Sequence, residues 1–337
     1  MSPRRLAPFL FALALVSSAA ACSSAASTPA PPAPSAPPAS SASSATGACT
    51  SAPAVASSPG WGIPATTPKL VPYMVSNNIA CGKARMLFLF LDSANKVVSA
   101  PDRTAKVRFF NLGRDPDKAV TEADGAFVWT IKDDRGMYVV DADLPEAGTW
   151  GAEFTTEAPG SPAETARLTF SVVDSTPTVR VGQKAPASKT PTAAGVGGDL
   201  TKISTDAHPD PAFYQASVAD ALATHKPFLL VFATPKFCAS QQCGPTLDQL
   251  KPIAAAHRDV TFINVEPYQL KFADGSLQAD LDANNQLQAT DVTDQWGLLS
   301  EPWIFAVDRD GVVRGSYEVM ITPAELDAIL PVLTKGG

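Results

Sequence analysis

Residues 228–250, FLLVFATPKFCASQQCGPTLDQL, decide how the second half of the chain is read. Phe228 to Ala233 is a short apolar run without alternation, the mark of a strand covered on both faces. Cys238 and Cys243 follow, with four residues between them, and Gly244 and Pro245 come directly after. Proline is well tolerated in a first helical turn, so a helix is expected over residues 245–257, kinked at Pro252. On one continuous helix, side chains five residues apart point about 140° away from each other. If the two sulfurs meet, Cys238 must therefore sit in the loop and fold back over the helix start, with Cα atoms within about 7 Å.

Working outward, residues 210–225 have helical spacing, with Phe213, Val218, Ala221 and Leu222 toward one face. Residues 260–265 read as a strand and 293–296 as a short helix. Residues 303–307 and 312–317 read as a hairpin across the turn Asp308-Arg309-Asp310-Gly311, and 323–333 as a closing helix. The order is helix, strand, helix, strand, helix, strand, strand, helix, an α/β pattern.

This order and its motifs resemble the thioredoxin fold over residues 200–337. Four features carry the likeness. The apolar strand leads into an aromatic-cysteine pair, Phe237-Cys238. Cys-Gly-Pro opens a helix that later contains Pro252. Glu301-Pro302 stands directly before a hairpin strand, where thioredoxins place a cis-proline. A terminal helix begins at Thr322-Pro323. Upstream, Val181-Gly182-Gln183-Lys184-Ala185-Pro186 is similar to the entry of redoxin domains. The resemblance implies thiol–disulfide exchange by Cys238 and Cys243. Pro302, with Glu301 and Phe237 beside it, would position the substrate. By chain order Cys238 takes the place of the family's attacking cysteine, whereas by the Gly-Pro match Cys243 does; the reading leans to Cys238 as attacker and Cys243 as resolving partner. Two departures stand out. Thr246 occupies the place of the family's second cysteine, and Phe228 to Ala233 lacks the buried acid that thioredoxins carry there.

Chemistry alone leaves other roles open for the pair. A thiolate near a helix start and near Lys236 would be activated for exchange. The same two cysteines could be a permanent staple in an exported protein. A metal clip lacks a third ligand: copper-delivery relatives of this fold use a later histidine, and none follows His257. No metal and no cofactor are therefore expected. The peroxiredoxin pattern is absent. His208, His225 and His257 form no ligand set, and Asp274, Asp280 and Asp282 read as a solvated loop face.

The rest of the chain sets the context. Its 337 residues suffice for about two domains, and the net charge of −7 gives a nucleic-acid partner no electrostatic support. Residues 1–22 read as an export signal: Arg4 and Arg5, an apolar core, then Ala19-Ala20-Ala21-Cys22. That ending resembles the lipobox of bacterial lipoproteins and implies lipidation of Cys22 and membrane attachment. Cleavage after an Ala-x-Ala site, leaving a secreted protein, is the alternative. Residues 23–66 are rich in Ser, Ala and Pro and cannot bury enough apolar surface to fold; such a tether spans roughly 35 Å.

Residues 67–174 carry short strand signals separated by turns, including Asn95-Lys96, residues 133–136 and Glu146-Ala147-Gly148. They read as an antiparallel β-sandwich. The run LPEAGTWGAEF, residues 144–154, resembles the immunoglobulin-like modules of bacterial exported proteins, which implies a binding or spacer role. Residues 175–199 read as a linker. With Cys22 lipidated and Cys238 near Cys243, parity leaves Cys49 and Cys81 to pair with each other. The expectation is an extracytoplasmic, lipid-anchored oxidoreductase acting on protein thiols or disulfides. The competing expectation is a surface adaptor whose disulfide is structural.

Overall fold

The computed structural model describes residues 49–55, 59–62 and 69–335. The export signal, Cys22 and most of the tether lie outside the described residues. The chain is rich in β-structure, with fifteen strands and four short to medium α-helices among the described residues.

The first body contains β1 (Thr50–Ser51), β2 (Leu70–Met74), β3 (Gly82–Asp92), β4 (Thr104–Asn111) and β5 (Ala119–Asp124). It continues with β6 (Ala126–Ile131), β7 (Arg135–Leu144), β8 (Glu146–Glu157) and β9 (Glu164–Val172). One sheet has the order β2-β3-β7-β6; the other runs β1-β8-β4-β5, with β9 also on β8. Strand β4 alternates as a half-buried strand should: Ala105, Val107 and Phe109 face in, while Lys106 and Arg108 face out. The core joins both sheets through Phe88, Phe90, Phe109, Tyr138, Trp150 and Phe154, so this body is a β-sandwich.

Two details depart from the sequence reading. Strands β2 and β5 carry weak signals, one because it contains Pro72 and the other because every second residue is exposed. The expected turn at Glu146-Ala147-Gly148 is instead the start of β8; Pro145 alone separates it from β7. The apolar run Arg85 to Leu91, fit for a buried strand, lies in β3, where Met86 to Phe90 is buried on both faces. Met86, Phe88 and Phe90 point into the sandwich, while Leu87 and Leu89 pack with Val319 and Met320 of the second body. That second contact accounts for the unbroken apolar run.

The second body contains α1 (Val218–Ala223), β10 (Phe228–Phe232), α2 (Cys243–Ala256), β11 (Thr261–Val265), β12 (Leu270–Ala273) and β13 (Ser276–Ala279). It ends with α3 (Asp291–Trp296), β14 (Trp303–Val307), β15 (Val313–Glu318) and α4 (Pro323–Thr334). Its four-stranded sheet has the order β11-β10-β14-β15. β10 is parallel to β11 and antiparallel to β14. Helices α2 and α4 pack on one face, through Leu247, Leu250, Leu326 and Leu330 against Leu229, Val231 and Ile304. Val218, Ala221 and Trp296 cover the other face, against Phe228, Phe232 and Phe305. With helices on both sides, β10 and β14 have no solvent face, as their composition requires.

The expected helix over 210–225 is two pieces, a 3-10 turn at Pro211–Tyr214 and then α1. Phe213 and Tyr214 belong to the core beneath α2, whereas Val218 and Ala221 belong to the core on the opposite face. No single helix can serve both. Ser217 restarts the helix by a capping box with Asp220. The acidic stretch around Asp274 and Asp280 is the hairpin β12–β13: Asp274 sits in its turn with φ 51°, and Asp280 pairs with Lys271 at 3.4 Å.

The segment read as a linker, residues 175–199, is laced onto the second sheet. Val179 donates to the Trp296 carbonyl, Gly182 to that of Val313, and Ala185 to that of Gly311. Thr178, Ser188 and Thr190 are buried. Gly297, the left-handed cap of α3, lies so close to Pro177 that any Cβ there would strike the Pro177 carbonyl oxygen. Both bodies fall in one contact unit, Gly47–Gly337.

Candidate functional site

The site is built where β10 ends. After Ala233 the chain turns through Thr234 to Phe237, whose amide donates to the Thr234 carbonyl at 3.1 Å. A second turn carries Cys238 to Gln241, closed by the Gln241 amide on the Cys238 carbonyl at 3.1 Å. Gln241 takes φ 58°, which aims the chain into α2. Cys243 is therefore the first residue of the helix, not a residue before it.

Cys238 and Cys243 form a disulfide with Cα atoms 6.1 Å apart. Cys238 does fold back over the helix start: its Sγ accepts the Cys243 backbone N–H at 3.2 Å, and Ser240 Oγ lies 3.3 Å away. The two sulfurs have unlike surroundings. Cys243 is fully buried, in the core beneath α2, whereas Cys238 is partly exposed. A sulfur at that position faces the positive end of a fourteen-residue helix.

Glu301-Pro302, a cis peptide bond, comes alongside. The Glu301 carboxylate and both sulfurs have ligand atoms within 4.8 Å of one another. Burial pushes the Glu301 carboxyl above the usual carboxylate range, partly opposed by the Tyr268 hydroxyl, which donates to its Oε2, and by the Ala239 amide. Tyr268 is itself raised, first by burial and then by this partner. The Pro302 carbonyl accepts from the Val319 amide at 2.8 Å, and the Val319 carbonyl accepts from Thr246 Oγ1 at 3.0 Å. The strand after Pro302, helix α2 and the loop before α4 are thereby tied together around the cysteines.

Phe237 is at the site, half-buried, with the Lys236 ammonium 5.5 Å from its ring. Lys236 does not turn toward the sulfurs: its Nζ donates to the Leu277 carbonyl at 2.8 Å and so fastens the β12–β13 hairpin. The helix end, rather than this lysine, is the positive influence on Cys238. Thus Cys238, Cys243, Phe237, Glu301 and Pro302 are brought together. Cys49 and Cys81 form a separate disulfide, with Cα atoms 6.4 Å apart, at the edge of the sandwich. His208 and His225 are exposed, and His257 caps the end of α2.

Two features had no clear signal in the sequence. Glu266 follows directly after β11 and is buried under the loop that leads to the cysteines. Thr205 donates its amide to Oε1 at 2.6 Å, while Oε2 has no hydrogen-bond partner. Burial pushes its carboxyl up to about 7. An acidic residue at the end of an apolar strand, in Val265-Glu266-Pro267, was the signal available. The second feature is the sandwich itself, which grips the cysteine loop. Gln242 Nε2 donates to the Thr130 carbonyl at 2.8 Å, and Arg135 donates to the Ser240 carbonyl at 3.2 Å.

No protein-family model matches the chain, and no curated protein does. Among solved structures, a DUF4426 family protein from Pseudomonas aeruginosa PAO1 is similar over 33% of this chain and 96% of its own, at 11% identity and a TM-score of 0.23. MtrC from Shewanella baltica OS185 aligns over 46% of this chain at 12% identity and a TM-score of 0.22; the alignment spans 29% of MtrC. A conjugative transposon lipoprotein from Bacteroides eggerthii DSM 20697 aligns over 31% of this chain and 98% of its own, at 9% identity and a TM-score of 0.16. Likenesses this slight establish neither a family nor an activity. Two disulfides are the mark of a compartment outside the reducing cytoplasm. No described helix is long and apolar enough to cross a membrane.

Proposed function

We propose that the protein is an extracytoplasmic thiol–disulfide oxidoreductase whose second body is a thioredoxin-like domain. The sheet order β11-β10-β14-β15 with helices on both faces supports that fold reading. One observation carries the functional reading: Cys238 Sγ is partly exposed and accepts the first N–H of α2, while Cys243 is buried behind it. That asymmetry suits an attacking and a resolving thiol, in that order.

In the reduced form, the Cys238 thiolate attacks one sulfur of a partner's disulfide. The partner's S–S bond breaks, a mixed disulfide forms, and the leaving sulfur takes up a proton. Cys243 then loses its proton and attacks the Cys238 sulfur. The Cys238–Cys243 bond forms and the partner's second thiol leaves. Two electrons pass to the partner, whose two sulfurs take up the proton released by Cys243 and one from solvent, and the reverse sequence oxidises a partner dithiol. The helix end and the Cys243 N–H favour the Cys238 thiolate. The Glu301 carboxylate opposes it when charged, and its raised pKa suits it to take up the proton Cys243 releases. Phe237 and Pro302 would line the face offered to the partner. Lipid on Cys22 and the tether over residues 23–66 would hold the folded part away from the membrane.

The grip of the sandwich on the loop favours a second reading, in which the disulfide is permanent and the chain is a binding or adaptor protein. The experiment that separates them uses the full chain equilibrated in graded thiol buffers, with free thiols alkylated and counted by mass. A potential above about −300 mV with rapid equilibration supports exchange. A lower potential with slow opening supports the staple.

A further inference from the structure

We propose that the reduced form of this site holds a zinc ion on Cys238, Cys243 and Glu301. The sequence offered two sulfurs and no third ligand. The fold supplies the third as an oxygen, because the Glu301-Pro302 turn brings the carboxylate to within 4.8 Å of both sulfurs. It is the one such trio of metal-binding side chains among the described residues.

The donor set suits zinc. Thiolate sulfur binds zinc at about 2.3 Å and carboxylate oxygen at about 2.0–2.2 Å, which sets tetrahedral ligand atoms roughly 3.5–3.8 Å apart. The carboxylate-to-sulfur separations, 4.8 Å at most, need to close by no more than about 1.3 Å, while the two sulfurs move apart on reduction. Thiolate, imidazole and carboxylate are all ordinary zinc ligands, whereas copper(I) prefers sets made of soft sulfur alone, so the carboxylate oxygen here favours zinc. The supporting contacts are in place. Tyr268 donates to Glu301 Oε2 and fixes the carboxylate, and the Cys243 N–H and Ser240 Oγ both reach Cys238 Sγ. Hydrogen bonds of this kind orient metal ligands and raise affinity. Cys243 is buried, while Cys238 and Glu301 are partly exposed. A fourth position is thus left open toward solvent for water.

The site is gated by the state of the pair. With the disulfide closed, neither sulfur is a thiolate and no zinc is held. When a partner disulfide oxidises the pair, two electrons leave the two thiolates for the partner, the Cys238–Cys243 bond forms, and zinc departs unchanged as the divalent ion. The proposal requires that the pair be reducible in the folded chain; it does not require that the protein exchange disulfides with a partner.

The test uses the full chain treated with a phosphine reductant, its free thiols counted by mass, and zinc titrated against a chromophoric chelator. Cobalt titrated in parallel reads the ligands through the thiolate-to-cobalt charge-transfer band. The reduced chain is expected to bind a single zinc ion that the oxidised chain does not, with the charge-transfer band present. Tyr268→Phe is expected to weaken binding about tenfold, and Glu301→Gln to weaken it further. Cys238→Ser, which retains Cys49 and Cys81, is expected to lose the band. Equal binding by the oxidised and reduced chains, an undiminished Glu301→Gln variant, or a Cys238→Ser variant that binds as tightly as the parent would each overturn the site. A reduced chain that binds no zinc, yet passes electrons to a partner in chelator-treated buffer, overturns the zinc site and leaves the exchange reading standing. A pair that no reductant opens in the folded chain overturns both.

Discussion

Gln242 and Thr130 meet across the junction of the two bodies: the side-chain amide donates to the backbone carbonyl at 2.8 Å, with both residues more than 90% buried. Gln242 is the cap of α2 and the neighbour of Cys243. The cysteine loop is therefore shaped by a strand of the sandwich as well as by its own helix.

Gln242→Ala leaves a buried carbonyl without its donor, at a cost of about 1–3 kcal/mol. Denaturant unfolding should show a lower midpoint with an unchanged slope. The same variant should speed the opening of the Cys238–Cys243 disulfide by a small dithiol. An opening rate equal to that of the parent would mean that the sandwich does not restrain the loop.

In the reduced protein, Cys238 should be alkylated well ahead of Cys243, because one sulfur is partly exposed at the helix end and the other is fully buried. Peptide mapping after a brief iodoacetamide pulse reads the order. Equal labelling would remove the distinction between attacking and resolving thiols.

Arg85 is the main ionic tie of the junction. It pairs with Glu325 and donates to the carbonyls of Glu318 and Met320. Glu325 also closes the capping box of α4 with Thr322. Glu325→Gln keeps the cap and removes the carboxylate that Arg85 pairs with, leaving the guanidinium on the two carbonyls; with both side chains still partly solvated, the loss should be about 2 kcal/mol, below the range for fully buried pairs. Glu325→Ala should cost about 1 kcal/mol more, for the cap. Equal losses in the two variants would show that the cap contributes nothing.

Glu266 sets a pH dependence. Its folded carboxyl titrates at about 7, against an ordinary value of 4.5, with burial as the largest cause. Between those values the folded chain binds a proton that the unfolded chain has released, so stability falls as pH rises through this window and levels off above it. The full loss is on the order of 3 kcal/mol. Glu266→Gln should flatten the curve between pH 5 and about 8 and be the more stable form at the alkaline end. A parent protein whose unfolding midpoint does not fall across that window would place the charge elsewhere.

The parts legible in the sequence are those where one local signal suffices. Phe228 to Phe232 and Trp303 to Val307 are apolar on every residue, and helices cover both faces of their sheet. Thr322-Pro323 with Glu325 spells a helix start before any packing is known. The fold-back of Cys238 over the helix start followed from spacing, and the pairing of Cys49 with Cys81 from parity. The split of 210–225 did not, because Phe213 and Val218 are both apolar and nothing local says they serve opposite faces. Strands β12 and β13 are four residues each and largely solvated, too short and polar to announce themselves. The third donor beside the sulfurs and the contact of Gln242 with Thr130 join residues far apart in the chain, 112 positions in the latter case. Such meetings exist only once the sheets have formed.

The threading of residues 177–190 through the second body also bears on how this chain could be cut or recombined. A connector that only spans a gap can be trimmed, lengthened or cleaved without harm. Here the Trp296, Val313 and Gly311 carbonyls take their donors from it, and Asn78 in the sandwich reaches Thr178 on the way. A fragment beginning at residue 200 would expose three acceptors and the pocket that holds Ser188. The smallest portable cassette bearing the cysteines therefore starts near Pro177, and the seam between the bodies lies upstream of the place where composition changes.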